Sequence, residues 1–403
     1  MHSLGVYISV PFCKAKCSFC NFASGAIGSG PFAQNRIGDY IDRVCSEIRS
    51  IKSHAANLNA AFPHHIDTIY FGGGTPSLLE PSHLQSIFSA LRNQFTLSTT
   101  AEITLECAPG QLEQATLDEA MRQGINRISF GVQSFVDRET SAVGRLHTAE
   151  QCIAEIARIR AAGLHEISLD LIAGLPGQTA ASWQTSLDAV LETQVPHASV
   201  YMLEVDEDSR LGKELITGGP RYQASTVPTD EAMTEFYARA CEAFNAAGLA
   251  QYEISNFARE GHASIHNLKY WQRRPYLGFG LDAHSMLHRY VGPSALRWAN
   301  TDDLDAYMKD SYRNEAPHDL TNVDSSSALE ESLFLGLRMN VGISLHQLES
   351  EFGTSALSDC SASLQNLVHE GLLHHTGDRI ALTARGREVS NEVFAELLLT
   401  VAA

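Results

Sequence analysis

Three cysteines near the start of the chain have the residue type and spacing of a metal centre. Cys13, Cys17 and Cys20 follow the pattern C-x3-C-x2-C, directly after an apolar run at residues 5–10 that predicts a buried strand. Thiolates select zinc, copper(I) or an iron–sulfur cluster, and a structural zinc needs a fourth ligand. The next cysteine, Cys45, lies far away in a helical pattern, so three ligands favour a [4Fe–4S] cluster with one iron open to a substrate or cofactor. The alternative is a set of structural thiols or disulfide partners.

The elements that must position this loop are repeated strand–helix units. Apolar segments rich in Val, Ile, Leu and Phe predict strands, and helical patterns lie between them. The predicted strands are residues 5–10, 66–71, 102–107, 127–132, 166–172 and 197–205. Alternation of this kind is typical of a parallel sheet covered by helices. The predicted fold class is therefore α/β, and six such units indicate a partial (β/α)6 barrel.

Polar residues and glycines stand at or just beyond the carboxyl ends of these strands. Glu106, Gln133, Asp170 and Glu204 each fall at such an end, and the run Gly-Gly-Gly-Thr-Pro-Ser at residues 72–77 follows the second strand. Ligands of parallel α/β sheets and barrels bind at this edge. Any one of these residues could instead cap a helix or face solvent. The set as a whole predicts one site, shared with the cysteine loop.

Composition and charge exclude several classes of protein. The chain has 403 residues and a net charge of −18, with Asp and Glu spread along it, which argues against a nucleic-acid surface. No apolar run predicts a membrane span, and the N-terminus lacks the pattern of a signal peptide. The remaining cysteines are scattered singly, which fits a reducing compartment. We therefore expect a cytoplasmic protein.

The expected domain organisation has three parts. Residues 1–215 hold the strand–helix units, and residues 216–315 form a connecting region that is aromatic, glycine-rich and polar at once. In residues 316–403, three helical patterns followed by a β-hairpin have the outline of a winged-helix domain. Winged helices often bind DNA, but this part carries four Lys or Arg against twelve Asp or Glu, a charge of −8. It is therefore expected to pack within the protein or to bind a partner, and not to bind nucleic acid.

With these motifs in view, the chain resembles the radical S-adenosylmethionine (radical SAM) proteins of the oxygen-independent coproporphyrinogen III oxidase-like group. Within that group it is most similar to the HemW-type haem chaperones. The resemblance implies that Cys13, Cys17 and Cys20 ligate the cluster and that its open iron binds SAM. It places the following residues at the family's SAM-contacting positions: Tyr7, Phe19, Gly73, Gly74, Thr75, Glu106, Gln133, Arg145 and Asp170. Glycine allows close approach to a ligand, carboxylates accept hydrogen bonds from ribose or ammonium groups, and arginine pairs with a carboxylate.

Two features separate the chaperone type from the oxidase type. The oxidase has C-x3-C-x2-C-x-C, and Phe22 stands here at the position of the extra cysteine. The chaperone type carries H-N-x-x-Y-W, which this chain has as His266, Asn267, Tyr270 and Trp271. The family's association of this segment with haem implies that His266 binds haem iron and that the two aromatic rings stack on the porphyrin. The alternative is a structural histidine satisfied by Asn267 or by the backbone.

The resemblance thus implies a cytoplasmic haem chaperone that binds a [4Fe–4S] cluster, SAM and haem, and delivers haem to an acceptor protein. A membrane-associated acceptor and a homodimer are further expectations. The alternative function is a radical SAM enzyme acting on a porphyrinogen, against which Phe22 argues. A nucleic-acid-binding regulator with a cluster sensor is a third hypothesis, and the negative charge of the winged-helix part argues against it.

Overall fold

The computed structural model describes residues 3–28, 30–32, 36–309 and 318–401. Its strands are β1 Leu4–Val10, β2 Phe12–Cys13, β3 Gly25–Ala26, β4 His65–Gly73, β5 Thr96–Cys107, β6 Arg127–Gln133, β7 Glu166–Ala173, β8 His197–Met202, β9 Ala250–Gln251, β10 Asn256–Ala258, β11 Tyr276–Phe279, β12 His284–His288, β13 Ala295–Ala299, β14 His318–Val323, β15 Ile343–Ser344, β16 Leu373–Thr376 and β17 Arg379–Leu382. Its α-helices are α1 Arg36–Asn57, α2 Pro81–Gln94, α3 Gln114–Gln123, α4 Asp137–Ala142, α5 Ala149–Ala161, α6 Ala180–Thr193, α7 Arg210–Thr217, α8 Asp230–Ala246, α9 Ile265–Trp271, α10 Leu304–Tyr307, α11 Ser325–Leu337, α12 Leu345–Phe352, α13 Thr354–His369, α14 Ala384–Glu388 and α15 Ser390–Val401. Within these ranges, no helix has the length and apolar character needed to cross a membrane.

One large sheet organises the described residues. Its order is β14-β13-β12-β11-β1-β4-β5-β6-β7-β8-β10-β9. The centre from β11 to β8 is parallel, whereas the strands beyond β11 and beyond β8 are antiparallel. The sheet ends at β14 and β9 and does not close into a complete barrel. The predicted α/β class is confirmed, and all six predicted strands are parallel members of this sheet.

The parallel strands alternate between an apolar and a polar face. On β7, Ile167, Leu169 and Leu171 are fully buried in the main core together with apolar residues of the covering helices. The intervening residues face the inside of the open barrel, where Ser168 Oγ lies 2.7 Å from His197 Nδ1 on β8. Because successive side chains of a strand point to opposite faces, one residue run builds both the helix-packed core and a polar interior.

The parallel strand β11 lies outside the strand predictions. It pairs with β1 on the side away from β4, and so it brings part of the predicted connecting region into the main sheet. The strand is only four residues long and contains Gly278, where a Cβ atom would stand 2.3 Å from the carbonyl oxygen of His284. A short segment that contains glycine is usually predicted as a loop from sequence. Here the glycine is needed because the backbone of His284 approaches it closely.

Helix α9 covers the amino ends of the barrel strands. Ser264 caps the helix, and the Glu102 carboxylate on β5 accepts hydrogen bonds from the backbone N–H groups of Ile265 (3.0 Å) and His266 (2.8 Å). Arg127 on β6 lies 3.8 Å from the same carboxylate. A buried carboxylate at a helix N-terminus satisfies N–H groups that the helix itself leaves unpaired. The floor of the barrel therefore depends on Glu102.

The C-terminal elements form a smaller unit with its own apolar cluster. That cluster joins α11, α12, α13 and α15 to a three-stranded sheet of order β15-β17-β16. The order α11, β15, α12, α13 and then the hairpin β16–β17 is typical of a winged helix. The predicted boundary at residue 316 lies outside the described residues, and β14 pairs with β13 in the large sheet. We therefore propose that the C-terminal domain begins after β14.

Replacing Glu102 is expected to loosen the barrel floor. Glu102→Ala leaves the first N–H groups of α9 without their acceptor and removes one of the two carboxylates near the buried Arg127 guanidinium, which we expect to lower the free energy of unfolding by about 2–4 kcal/mol. Chemical denaturation measures the change. The control is Glu192→Ala on the exposed side of α6, for which a change within about 0.5 kcal/mol is expected. Equal losses in the two variants would contradict this role of Glu102.

Candidate cofactor and ligand site

The cysteine loop leaves β1 at the carboxyl edge of the sheet. Its two ends are tied together where the short strands β2 and β3 pair, and Ser18 N–H donates to the Val143 carbonyl at 3.0 Å. Cys13 and Cys17 are buried and Cys20 is half-buried, all as free thiols. Burial raises the pKa of the Cys13 thiol, which the Thr75 side chain partly offsets by a hydrogen bond.

The three thiols of the loop have the chemistry of iron–sulfur cluster ligands. Among the described residues, no group of His, Cys, Asp and Glu side chains is close enough to hold one ion. A [4Fe–4S] cluster is wider than one ion, and each of its irons takes its own thiolate. Three free thiols that line one cavity can therefore supply three irons, leaving the fourth without a protein ligand from this loop.

The glycine run after β4 packs directly against the cysteine loop. Gly74 N–H donates to the Val10 carbonyl at 2.9 Å, and Thr75 N–H donates to the Phe12 carbonyl at 2.8 Å. A Cβ on Gly74 would lie 2.7 Å from that Val10 oxygen, so no larger residue fits. Gly73 has a φ of +100°, which favours glycine. The motif thus holds the loop against the sheet and lines the cavity beside it.

Two carboxyl groups stand at the mouth with raised pKa values. Glu106 accepts a hydrogen bond from the Tyr70 hydroxyl at 2.9 Å, and burial raises its pKa to about 7, with a further contribution from nearby Asp170. Burial likewise raises the pKa of Asp170 to about 6, although the hydroxyls of Ser199 and Ser129 counteract it. Burial outweighs the charge of nearby Arg145 at both carboxyl groups, so a cationic ligand group would stabilise their ionised forms.

Arg145 stands between these carboxylates and the cysteine loop. Its Nη1 lies 3.5 Å from Cys17 Sγ, and its Nη2 donates to the Gly131 carbonyl. The Nε atom is buried and has no partner among the described residues. A guanidinium with an open donor beside two carboxyl groups suits a ligand that carries both a carboxylate and a cation, as SAM does.

A single cavity of about 660 Å³ joins these groups. It contains nearly all of the residues predicted for the cluster and SAM, namely Cys13, Cys17, Phe19, Cys20, Gly73, Gly74, Thr75, Glu106, Gln133, Arg145 and Asp170, and also Glu204. Tyr7 is not among the lining residues. Its ring stacks on Tyr70 with a centroid distance of 6.1 Å, so it supports the wall from behind.

His266 lies on the barrel floor and does not line this cavity. Its Nδ1 is 2.9 Å from Thr68 Oγ1, its Nε2 is 2.9 Å from the Tyr270 hydroxyl, and the side chain is 1% exposed. Burial, followed by the charge of Lys269, lowers its pKa to about 3, so the ring is neutral. Neither ring nitrogen is open to an iron in this arrangement. Ligation of haem by His266 stays a prediction and requires α9 to move.

Several lining residues were missed by the sequence interpretation. Tyr201 and Met202 end β8 at the rim, and Arg338 and Arg387 reach the cavity from the C-terminal unit. The alternation of His197, Ser199 and Tyr201 along β8 is a signal that could have identified Tyr201. The two arginines stand in no local motif, because their placement depends on how the C-terminal unit docks.

Comparisons with known proteins match this geometry. Residues 7–190 match the radical SAM superfamily, and residues 323–389 match the HemN C-terminal domain. Heme chaperone HemW of Bacillus subtilis is 32% identical over 394 residues, covering 97% of this chain and 98% of the relative. Heme chaperone HemW of Synechocystis is 34% identical over 348 residues, 85% and 80% of the two chains. The solved structure of coproporphyrinogen III oxidase (HemN) from Escherichia coli superposes with a TM-score of 0.79 at 22% identity, covering 98% and 90%.

The cysteine loop, the glycine run and the parallel half-open sheet define a radical SAM protein. Identity of about a third over nearly the full length of its relatives narrows this further. The chain belongs to the HemW heme chaperone family.

The raised pKa values predict how SAM binding depends on pH. Because the cationic groups of SAM favour ionised Glu106 and Asp170, whose pKa values are about 7 and about 6, we expect SAM to bind about twentyfold more weakly at pH 6 than at pH 8, about tenfold from Glu106 and about twofold from Asp170. Anaerobic calorimetry on the cluster-reconstituted protein measures the ratio.

In Glu106→Gln only Asp170, with a pKa of about 6, still titrates in this range, so the ratio should fall to about twofold. Glu204→Gln, an exposed residue of the same cavity, serves as the control and should keep about the twentyfold ratio of the unmodified protein. An affinity that does not change between pH 6 and pH 8 would refute the proposed pairing.

Proposed function

We propose that this protein is a haem chaperone that holds a [4Fe–4S] cluster, SAM and haem close together and passes haem to an acceptor protein. Membership of the HemW family supports the proposal, since its curated relatives carry that name. A bound cluster with SAM supplies one-electron chemistry. We propose that here both groups support haem transfer or the oligomeric state rather than turnover of a substrate.

The observation that carries this proposal is the extent of the cavity. It runs from the cysteine loop across the barrel mouth to α14 and α15, and its size lies within the usual range for cofactor sites, roughly 300–1,000 Å³. Its rim exposes large apolar side chains, with Phe22 62%, Tyr201 43% and Met202 47% exposed. A flat, apolar macrocycle with charged edge groups needs such a wall together with a few cations.

The residues of the mouth divide into groups with separate roles in this proposal. The three cysteines of the loop hold the cluster. Arg145 binds the SAM carboxylate, while Glu106 and Asp170 face its cationic groups. The remaining predicted SAM residues shape the wall or support it: Tyr7, Phe19, Gly73, Gly74, Thr75 and Gln133.

We further propose a cytoplasmic location, a membrane-associated haem-acceptor protein as partner and a homodimer as the working form. The family's delivery role requires an acceptor, and the exposed apolar rim offers it a contact surface. The charge of −18 disfavours nucleic acid as a partner. Sedimentation with and without the cluster tests the dimer.

Haem titration of the cluster-reconstituted protein tests the proposal. We expect a saturable shift of the Soret band, weakened about tenfold or more in the double variant Tyr201→Ala, Met202→Ala, because both side chains contribute apolar wall. The control is Val291→Ala, an exposed apolar residue outside the cavity, which should bind as the unmodified protein does. His266→Ala separates two roles of this residue: binding within about threefold of the unmodified protein assigns the ring to the barrel floor, whereas loss of binding supports the prediction that it ligates haem.

Two results would count against a haem chaperone. One is the lack of a Soret shift in the unmodified protein. The other is formation of protoporphyrinogen in an anaerobic assay with coproporphyrinogen III, which would favour the oxidase alternative despite Phe22. Haem transfer is read in the same sample by adding a haem-free acceptor and following the loss of the donor spectrum.

A further inference from the structure

Arg338 lines the cavity, and no carboxylate of the described residues lies within hydrogen-bond distance of its guanidinium. It follows α11 and lines the mouth cavity with a side chain that is 27% exposed. Its guanidinium carbon lies 4.3 Å from the centre of the Trp271 ring. The nearest carboxylate, Glu253, is 3.7 Å from Nη2, which is longer than a hydrogen bond. The arginine is therefore held mainly by an aromatic face.

Three buried polar atoms around this arginine have no hydrogen-bond partner among the described residues. They are Nε of Arg338, Nε1 of Trp271 and Oε2 of Glu253. The other oxygen of Glu253 is already engaged by Ser255 N–H at 2.8 Å and by Asn256 Nδ2 at 2.5 Å. Buried unsatisfied groups are rare, and of these three residues Arg338 lines the cavity, so a further polar group in the cavity can approach its guanidinium.

Glu253 is only a weak counter-charge for Arg338. Glu253 is completely buried, and burial raises the pKa of its carboxyl group, which weakens it as a counter-charge. The backbone around Arg338 is fixed by a bridge between Glu253 and Met339 and by Asn340 N–H, which donates to the Tyr252 carbonyl at 2.9 Å. A rigidly placed guanidinium with open donors is a receptor for a carboxylate.

We propose that Arg338 binds a carboxylate of the macrocycle in the mouth cavity and that Trp271 is the positioning residue that orients its guanidinium. This inference rests on the proposed function, because haem carries two propionate carboxylates on one edge. It assigns the final tryptophan of the H-N-x-x-Y-W segment to ligand recognition through an arginine. Arg145, which lies beside Cys17, remains the partner for the SAM carboxylate at the other end of the site.

Comparison of haem with its dimethyl ester on the cluster-reconstituted full chain tests the inference, because esterification removes the carboxylates and keeps the ring. We expect the unmodified protein to bind haem at least tenfold more tightly than the ester. Arg338→Gln should raise the Kd for haem about tenfold or more and leave the Kd for the ester unchanged within about twofold. Arg338→Lys should recover part of the discrimination. Trp271→Ala should lose part of the discrimination between haem and the ester, and its affinity for SAM should be unchanged.

The matched control is Arg385→Gln, which removes an equal charge from α14 at an exposed position that does not line the cavity. Thermal unfolding establishes that each variant is folded before titration. The inference is overturned if the unmodified protein binds haem and the ester equally well. It is also overturned if Arg385→Gln raises the Kd for haem as much as Arg338→Gln does. Loss of SAM affinity in Arg338→Gln with unchanged haem binding assigns the arginine to SAM and also overturns it. Absence of binding by either porphyrin refutes the proposed function itself.

Discussion

The barrel strands point polar side chains into the barrel interior, and these side chains need hydrogen-bond or ion-pair partners. The rest of the structure depends on this constraint. At the floor, Arg127 lies 3.8 Å from Glu102 and 3.7 Å from Glu166, and His262 Nδ1 lies 2.8 Å from Glu166. Arg127 and Glu102 are buried and Glu166 and His262 are half-buried, so these polar groups need partners inside the protein. The loop before α9 and the helix itself supply the missing partners.

The same polar interior links the floor to the mouth. Tyr70 stacks on His266 with a centroid distance of 5.2 Å, and its hydroxyl donates to Glu106 at the cavity wall. Both nitrogens of His266 are occupied, so its position restricts Tyr70 and, through it, the carboxylate. The H-N-x-x-Y-W segment therefore supports the site indirectly at two places: His266 packs against Tyr70, and Trp271 lies under Arg338. Neither contact is visible from the spacing of the motif.

Features that depend on residues close together in the sequence could be predicted, whereas features that depend on distant segments could not. The six parallel strands and the cysteine loop are local patterns, and the structure has all of them at nearly the predicted positions. Strand β11 was missed because its four residues include a glycine that a neighbouring strand requires. Glu106, Asp170 and Gln133 could be placed at one edge because parallel strands bring their carboxyl ends together. Arg338 and Arg387 could not, since their approach to the mouth is set by the docking of a separate apolar cluster.

The exposed rim bears on what kind of radical SAM protein this is. An enzyme that generates a reactive radical must close its site against water, whereas a carrier must leave its cargo within reach of another protein. Phe22 is highly exposed and lines the same cavity as Tyr201 and Met202. Its carbonyl accepts a hydrogen bond from Lys16 Nζ at 2.9 Å, which fixes the loop without covering it. A cysteine at position 22 would add a thiol to this rim; phenylalanine adds apolar surface instead. The same substitution that distinguishes the chain from the oxidase thus also supplies the open, apolar edge that transfer of a macrocycle to an acceptor requires.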